Sequence, residues 1–308
     1  MNKKNLLNTH DVAELLGIND KIVYTLISEK GLPATKITGK WLFQRSLIEK
    51  WLESKTINYP KPDRLSTYSG LLVILGSNDI LLNKTIDLFN QLNPGHAAVF
   101  GNLGSLGGLT ALKQNLCHIA CSHLIEENEK EYNFDFALKK LGTMPATVNF
   151  CRREQGLIIQ KKNPKNISGV IDLARKNIRM ANRPLGTGTR LLFDKQLQKS
   201  GINTDSLNGY HNEIIRHIDV GIEVLSDKID AGPGIRAVSE LLNLDFISFG
   251  WERFDFVIPK ERFFDREVQL FLSLLHEDSF RKMADSIEGY NIDMCGKTLF
   301  PNNETAAQ

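Results

Sequence analysis

Residues 7–54 place two short amphipathic segments on either side of a glycine turn, and few small folds accommodate that order. Thr9 is positioned to cap the first helix, and Gly17-Ile18-Asn19 has the composition of a tight turn. The second helix follows from Asn19 or Asp20 and runs to about Lys30. We therefore expect two helices that meet at a sharp turn.

After the second helix the pattern changes to that of a hairpin. Lys36–Phe43 carries strand-forming residues around a turn that contains glycine. Ser46 and Glu49 then have the spacing of a capping box, which predicts a last helix. The order helix, turn, helix, hairpin, helix is typical of a winged helix-turn-helix, in which the second helix enters the major groove and the hairpin lies along phosphates.

The apolar stripes of these helices separate a buried face from an outward face. The predicted buried residues are Val12, Leu15 and Leu16 on the first helix, Ile22, Val23, Leu26 and Ile27 on the second, and Ile48, Trp51 and Leu52 on the last. The residues expected to contact double-stranded DNA are Asp20, Lys21, Tyr24, Thr25 and Ser28 on the second helix and Lys36, Thr38 and Lys40 on the hairpin, with Lys40 at its tip.

The segment strongly resembles the excisionase or MerR-like helix-turn-helix family, through DVAELLG, VYTLI, GLPA and WLFQRSLIEKWL. It departs from that family at Asn19-Asp20-Lys21 and at Thr25, where the family commonly has Ser and Arg. Residues 1–55 hold nine Lys and Arg against six Asp and Glu, so phosphate attraction is modest. We therefore expect a homodimer or higher homo-oligomer to bind DNA. The alternative is a degenerate or protein-binding helix-turn-helix.

The whole chain is too long for this module alone. At 308 residues, with 42% hydrophobic and 24% charged residues, it has the composition of a globular protein with more than one core. We expect the winged helix-turn-helix at 1–55, a linker at 56–69 that holds two prolines and no apolar period, and a second domain at 70–300.

The start of the chain and the cysteines predict the compartment. Met1–Lys4 leads into the first module without an apolar stretch, and the apolar run at Leu71–Leu75 is only strand-sized. We expect a cytoplasmic protein with no membrane partner, whose cysteines are reduced and form no disulfide. The four cysteines are Cys117, Cys121, Cys151 and Cys295.

Past Gly70, strand and helix patterns alternate, which predicts a largely parallel α/β sheet covered on both faces. Ligands bind such sheets at the carboxyl ends of the strands, where helices begin. Three segments at such junctions, 76–79, 101–108 and 182–190, combine glycine with Asn, Ser or Thr. Free N–H groups and the helix dipole favour an anion there, and hydroxyls add donors without charge. The three junctions together predict an oxyanion cradle.

The region from Gly70 to about Asp293 resembles the periplasmic-binding-protein-like domain, of the type II class, that is attached to helix-turn-helix regulators and related to molybdate and tungstate binding proteins. The resemblance rests on GSLGGLTALK, CRREQGLII, NRPLGTGTR, DAGPGIRAVSELLNLDF and FDFVIPKE. It implies two lobes with the ligand between them. Lobe one would be 70–146 plus 252–293 and lobe two 150–248, crossed by 148–152 and 249–257.

The resemblance also implies which residues hold the ligand. An Arg precedes a hydroxyl-rich turn in tungstate-binding relatives, and first-lobe hydroxyls complete the site. The matching positions are Arg183, Thr187, Gly188 and Thr189, with Ser77 and Ser105 from the first lobe. Thr187 replaces a Ser and adds a methyl group. The expected effector is molybdate or tungstate, and no cofactor is expected.

Three other features are given a structural interpretation. Cys117, His118, Cys121 and His123 have metal-like spacing, but they lie on a strand whose successive side chains alternate in direction. We expect core packing, with His123 near the cleft mouth, and no metal. Arg152-Arg153-Glu154 is interpreted as a solvated ion-pair face. His217 is expected to support the cleft from a helix below it, and Asp219 beside it has no explanation.

No Ser-His-Asp order, paired acid and base or P-loop stands out, so an enzyme is not expected. The chain is interpreted as a one-component transcriptional regulator in which an oxyanion alters the arrangement of the DNA-binding units. One alternative ligand is a small organic or other anion. A second alternative is a constitutive DNA-binding protein whose second domain serves assembly only.

Overall fold

The computed structural model describes residues 5–57, 69–128 and 130–301. The chain forms two compact units, Met1–Pro62 and Asp63–Gln308. Most of the predicted linker, 58–68, lies outside the described residues. The two units are described separately below.

The N-terminal unit contains three helices and a three-stranded antiparallel sheet of order β1-β3-β2. Its elements are β1 Leu6–Leu7, α1 Thr9–Leu16, α2 Asp20–Lys30, β2 Thr35–Ile37, β3 Lys40–Gln44 and α3 Arg45–Lys55. This is the predicted order of helix, turn, helix, hairpin and helix, preceded by a short strand that the sequence analysis did not include.

The helix ends follow their capping residues, with two corrections. Asn8, and not Thr9, caps α1, because its side chain accepts from the N–H of Asp11 in a reciprocal capping box. The N-cap of α2 is Asn19, one of the two residues predicted for it. The capping box predicted at Ser46 is wrong, since α3 starts one residue earlier and has no side-chain cap.

The core of the N-terminal unit is narrower than the predicted stripes. Its buried residues are Leu7, Val12, Ala13, Val23, Leu32, Phe43 and Ile48. Leu15, Ile22 and Leu52 were predicted to be buried but are exposed. The unit is so small that each short helix meets the core along one narrow line, and residues at the edge of a stripe face outward.

The second unit is a larger α/β assembly. Its strands are β4 Leu71–Gly76, β5 Ala97–Asn102, β6 Ile119–Ser122, β7 Ala146–Ile159, β8 Ala231–Ile235, β9 Asp245–Ile258, β10 Tyr290–Asn291 and β11 Thr298–Leu299. Its helices are α4 Ile80–Leu92, α5 Gly104–Lys113, α6 Phe134–Leu141, α7 Gly188–Lys199, α8 His217–Leu225, α9 Arg236–Leu241, α10 Arg266–Leu274 and α11 Asp278–Asp285. Short 3-10 helices cover Val170–Ala174, Thr204–Ser206 and Lys260–Arg262.

The sheet is mixed and not largely parallel as predicted. Strands run in the order β10-β7-β9-β6-β4-β5, with β8 and β11 also paired to β7. Only β4, β5 and β6 are parallel to each other, because the chain re-enters along β7 and β9, and β9 is antiparallel to both β6 and β7.

Two long strands connect the two lobes. β7 and β9 each span 14 residues and pair along their whole length. In lobe one, β6 pairs with the 255–257 part of β9. In lobe two, β8 pairs with the 155–159 part of β7. The switch from lobe-one pairing to lobe-two pairing lies close to Gln155, where the register between β7 and β9 shifts.

Helices cover both faces of the sheet in each lobe. In lobe one an aromatic cluster fills one side, and α5 and α6 cover the other. The aromatic cluster is formed by Phe89, Phe150, Phe254, Phe256, Phe271 and Phe280. In lobe two the two faces are closed by separate clusters around Phe193 and around Val220. Each lobe is therefore a three-layer body with its own core.

Gly156, at the bulge between the lobes, provides a test of this crossing. A Cβ there would lie 2.1 Å from the carbonyl oxygen of Ile247, on the paired strand. Because backbone must move to make room, we expect Gly156→Ala to destabilise the second unit by ~1–3 kcal/mol. Thermal unfolding should show a melting temperature lower by roughly 2–4 °C per kcal/mol.

Gly169→Ala is the matched control for this variant. A Cβ at Gly169 meets nothing within 4 Å, so we expect an unchanged or slightly raised melting temperature. Equal melting temperatures for the two variants would contradict the close contact between β7 and β9.

Candidate functional site

The predicted DNA-contacting residues of the N-terminal unit are all exposed. On α2, Ser28 donates its hydroxyl proton to the carbonyls of Tyr24 and Thr25, so this side chain lies against the helix. On the hairpin, Lys36 lies over the Trp41 ring at 5.4 Å. Thr38 and Gly39 form the turn, and Lys40 is the first residue of β3 and not the tip itself.

In the second unit, Ser77 follows β4 at the carboxyl edge of the sheet. A Cβ on the preceding Gly76 would lie 2.3 Å from the carbonyl oxygen of Cys121, and φ there is +133°. Only glycine allows this approach. Ser77 donates its backbone N–H to the same carbonyl at 3.0 Å, which fixes its side chain at the end of the sheet.

His123 is the centre of the candidate site. It is 1% exposed, although the sequence analysis expected it near the cleft mouth. Its Nε2 lies 2.8 Å from the Ser77 hydroxyl oxygen, and its backbone N–H donates to Ser105 Oγ at 3.3 Å. A Cβ on Gly188 would lie 2.3 Å from His123 Nδ1. Predicted residues from both lobes therefore meet at this imidazole.

Glu252 holds the other side of the His123 ring. His123 Nδ1 lies 2.9 Å from Glu252 Oε2. Burial opposes the charge of Glu252, but the charge of Arg153 and hydrogen bonds from His123 and Gln155 lower its pKa to about 2, so it is ionised. A carboxylate only accepts, and Nδ1 must therefore carry the proton. Burial lowers the pKa of His123, which leaves a neutral ring whose Nε2 accepts from Ser77.

Arg153 is fully buried, so its interpretation as part of a solvated face is wrong. Its Nη1 donates to Asp79 Oδ2 at 2.8 Å and its Nε to Glu252 Oε1 at 2.5 Å. Burial opposes its charge, but the two carboxylates outweigh it and raise the Arg153 pKa. Its Nη2 has no hydrogen-bond partner among the described residues. Of the triplet, only Arg152 is exposed as predicted.

Arg183 is the second buried cation. It is 2% exposed, and its Nη1 donates to the carbonyl of Ile214 at 2.9 Å. Its Nε is buried without a partner, and in the described part of the chain no carboxylate forms an ion pair with it. Burial and repulsion from Arg153 lower its pKa to about 9. Asp219 is the carboxylate that counteracts this, but it is paired with Arg216 at 2.7 Å.

His217 opens α8 and is 1% exposed. Both of its ring nitrogens are buried without a hydrogen-bond partner among the described residues. Burial, followed by repulsion from Arg183, Arg153 and His123, lowers its pKa well below the ordinary value. A buried polar group without a partner is rare, and four such atoms lie on Arg153, Arg183 and His217 in the described part of the chain.

The two threonines of the 187–189 turn have different roles. Thr187 donates its hydroxyl proton to the Pro184 carbonyl at 2.8 Å and accepts from the N–H of Arg190 at 3.3 Å. It is the N-cap of α7, and its ligand role stays a prediction. Thr189 accepts from Gln155 Nε2 at 3.2 Å and retains its own proton for donation.

The arrangement has the chemistry of an anion site. It combines hydroxyls, two helix starts and, among the described residues, unpartnered donor atoms of the buried Arg183 and Arg153. It also forms a chain from Ser77 through His123 to Glu252, an order that the sequence analysis did not detect. The only local signal was the glycine at position 188, because Gly188 leaves the space that His123 occupies.

Family models match both units. A model described as the PBP superfamily domain, where PBP denotes periplasmic binding protein, matches residues 86–276. The chain belongs to this family. A helix-turn-helix domain model matches residues 6–56, so the PBP domain follows a helix-turn-helix domain. Both assignments confirm the predicted resemblances and the fold class.

Individual relatives support the same architecture. The uncharacterized protein YvgK of Bacillus subtilis (strain 168) is 27% identical over 316 aligned residues, covering 97% of this chain and 99% of the relative. An uncharacterized protein in the ferredoxin 2Fe-2S gene 5' region of Clostridium pasteurianum is 26% identical over 110 residues, covering 35% of this chain and 97% of the relative.

Among solved structures, a putative phosphate ABC transporter substrate-binding protein with bound phosphate from Clostridium perfringens has a TM-score of 0.53 and 15% identity. It covers 71% of this chain and 98% of its own. At this identity the similarity establishes the fold of the PBP domain. Within the described ranges, no helix is long and apolar enough to cross a membrane.

The capping role of Thr187 can be tested by substitution. Thr187→Ala removes the N-cap of α7, and we expect it to lower the stability of the free protein by about 1 kcal/mol. Thr187→Ser restores the hydroxyl and should recover the wild-type melting temperature. Thermal unfolding of the free protein measures both. If Thr187→Ala melts like wild type, the hydroxyl does not cap α7 and is available to contact a ligand.

Proposed function

We propose that the protein is a one-component transcriptional regulator that binds DNA through its helix-turn-helix domain and senses an oxyanion in its PBP domain. The observation that carries the ligand proposal is the buried guanidinium of Arg183. Its Nε has no hydrogen-bond partner in the part of the chain that the structure describes, and the carboxylates nearby are paired with other cations. A buried cation without a counter-charge is unfavourable, and a bound anion removes that penalty.

The donor set favours an anion that carries no proton. Glu252 accepts from Arg153 and Gln155 and contacts His123. Asp79 accepts from Arg153, from Tyr290 and from the N–H of Leu82. These carboxylates therefore have little capacity left to accept a proton from a ligand. Molybdate and tungstate are fully deprotonated dianions at neutral pH, and we propose them as the leading ligands.

The alternative functions differ in what they require of the site. A small organic carboxylate would use the same Arg183 and the same hydroxyls, because a guanidinium can donate to both oxygens of a carboxylate. A second domain that serves assembly only would not explain why donor atoms of Arg153 and Arg183 are buried without partners among the described residues. We therefore place the oxyanion first, the organic anion second and the constitutive regulator third.

Ligand-dependent regulation needs a two-state element, and a two-lobed PBP domain supplies one. The candidate site is made of Ser77 and Ser105 from lobe one and Gly188 and Thr189 from lobe two. Anion binding would stabilise the arrangement in which the lobes meet. We propose that this change acts on the DNA-binding units of a homodimer or higher homo-oligomer, in the cytoplasm where the DNA target lies.

Substitution of Arg183 tests the ligand proposal. Arg183→Met removes a buried charge and keeps the volume, so we expect the free protein to be as stable as wild type or more stable. The same change should abolish most of the stabilisation by tungstate, which for wild type is ~2.7 kcal/mol at a hundredfold excess over the dissociation constant. Melting curves with and without tungstate, molybdate and sulfate measure both effects.

Arg152→Met is the matched control, because Arg152 is exposed on the same strand that carries Arg153. It should retain the wild-type response to tungstate. A wild-type response in Arg183→Met, or no response of wild type to any oxyanion of the panel, contradicts the proposed ligand site.

The DNA-binding role is tested at the hairpin. Lys40 is exposed beside the turn, where a side chain reaches phosphate. We expect Lys40→Ala to weaken binding to all sequences and to reduce the logarithmic salt slope by roughly 0.9 per lost phosphate contact. Lys50→Ala on α3 serves as the control with the same loss of charge. Equal salt slopes for wild type and Lys40→Ala would exclude docking through the hairpin.

Thr25 tests the recognition helix. It is exposed on α2, and its hydroxyl lies 3.5 Å from the Lys21 carbonyl, which leaves its methyl group on the outer face. We expect Thr25→Ala to change sequence preference while non-specific affinity stays nearly the same. Competition between an operator and random DNA separates the two quantities. An unchanged preference would show that α2 does not read base edges at this position.

A further inference from the structure

The hydrogen-bonded series of Glu252, His123 and Ser77 has one proton too few to donate to an anion as well. Glu252 is ionised and accepts only, so His123 donates from Nδ1. The neutral ring then accepts at Nε2 from the Ser77 hydroxyl, 2.8 Å away. In this state the Ser77 proton points at the histidine and is not available to a ligand.

An oxyanion without protons can only accept hydrogen bonds. If Ser77 turned its proton towards such a ligand, the lone pair of His123 Nε2 would be left buried and facing the Ser77 oxygen. If the ring changed tautomer instead, the lone pair of Nδ1 would face the ionised Glu252. Both arrangements are unfavourable in a buried site. A second proton on His123 removes the conflict, because the ring then donates at both nitrogens.

We propose that His123 takes up one proton when the anion binds, so that the Ser77 hydroxyl is released to donate to the ligand. This inference rests on the proposed function and adds its regulation by pH. His123 is a positioning residue in this scheme. It sets the direction of the Ser77 proton and adjusts the charge of the site.

The charges around His123 explain how anion binding can raise the pKa of this ring. Burial and the cations Arg153 and Arg183 disfavour its protonation, and Glu252 favours it. The other groups that contact the ring are the Ser77 hydroxyl, the backbone of Gly188 and the stacked Phe254 ring at 5.6 Å. The neighbouring His217 is neutral for the same reasons as the free His123 ring.

A bound dianion changes this balance. Asp79 and Glu252 both pair with Arg153, and Arg183 has no ion pair among the described residues, so the two cations and two carboxylates sum to about zero while both histidines are uncharged. The ligand then adds negative charge to a buried space. Its attraction for a proton, together with its screening of Arg183, raises the pKa of His123.

The sign of the pH dependence follows from this shift. The pKa of His123 is low in the free protein and higher in the complex. Between those two values each bound anion brings one proton with it, so affinity falls as pH rises, by up to tenfold per pH unit. Above the pKa that His123 has in the complex, the affinity for the anion no longer depends on pH.

The experiment is calorimetric titration of the full-length protein with tungstate at pH 6.5 to 7.5, well below the pKa of about 9 of Arg183, in buffers of different ionisation enthalpy. Tungstate does not titrate in this range, so proton uptake belongs to the protein. We expect uptake approaching one proton per anion in wild type. His123→Gln keeps a hydrogen-bonding side chain that cannot titrate, and should bind more weakly at pH 6.5 with no proton uptake and no pH slope.

Two further histidine variants locate the proton. His217→Gln should retain the proton uptake, as should the control His211→Gln, because His211 is exposed. Uptake that survives in His123→Gln and disappears in His217→Gln overturns the proposal. If His123→Gln does not fold, the ring nitrogen chemical shifts of His123 in the wild-type protein with and without tungstate report the same protonation.

The outcomes separate this inference from the proposed function. Tungstate binding by wild type without proton uptake at any pH refutes the role of His123 and leaves the oxyanion site intact. Absence of tungstate binding at every pH refutes both. Labelling of Ser77 by a fluorophosphonate would show instead that the chain activates a nucleophile, and this also overturns the proposal.

Discussion

The buried ion pairs of Arg153 determine the organisation of the PBP domain. This guanidinium lies on β7 with no exposed surface and is held by Asp79 before α4 and Glu252 on β9. Removing one partner of such a pair leaves an unpaired buried charge, which costs about 3–5 kcal/mol. The position of Glu252, and through it that of His123 and Gln155, therefore depends on a charge that cannot move out to solvent.

Because the pairs involve both lobe one and the crossing strands, they also set where the lobes can meet. Gln155 donates to Glu252 and to Thr189 at the start of α7. Residues from the sheet, from the crossing strands and from lobe two are thus linked by one hydrogen-bond network. A network of this kind has few alternative arrangements that satisfy all of its members. This favours a small number of discrete arrangements of the network.

The sequence alone was sufficient to predict features that depend on residues close together in the chain. The helix-turn-helix, the Gly17 turn and the hydroxyls at helix starts follow from local caps and spacing. Arg153 was misassigned because its burial depends on Asp79 and Glu252, which are 74 and 99 residues away in the chain. His123 was expected at the mouth of the cleft for a similar reason, since strand alternation gives the face of a side chain but not its depth.

In the N-terminal unit, a single hydrogen bond relates the exit of the chain to the helix proposed to read DNA. Trp51 on α3 donates its indole N–H to the carbonyl of Lys30, the last residue of α2, at 3.1 Å. The chain leaves this unit through the end of α3, a few residues after Trp51. Any displacement of α3 is therefore transmitted through this bond to the last turn of the helix proposed to read DNA.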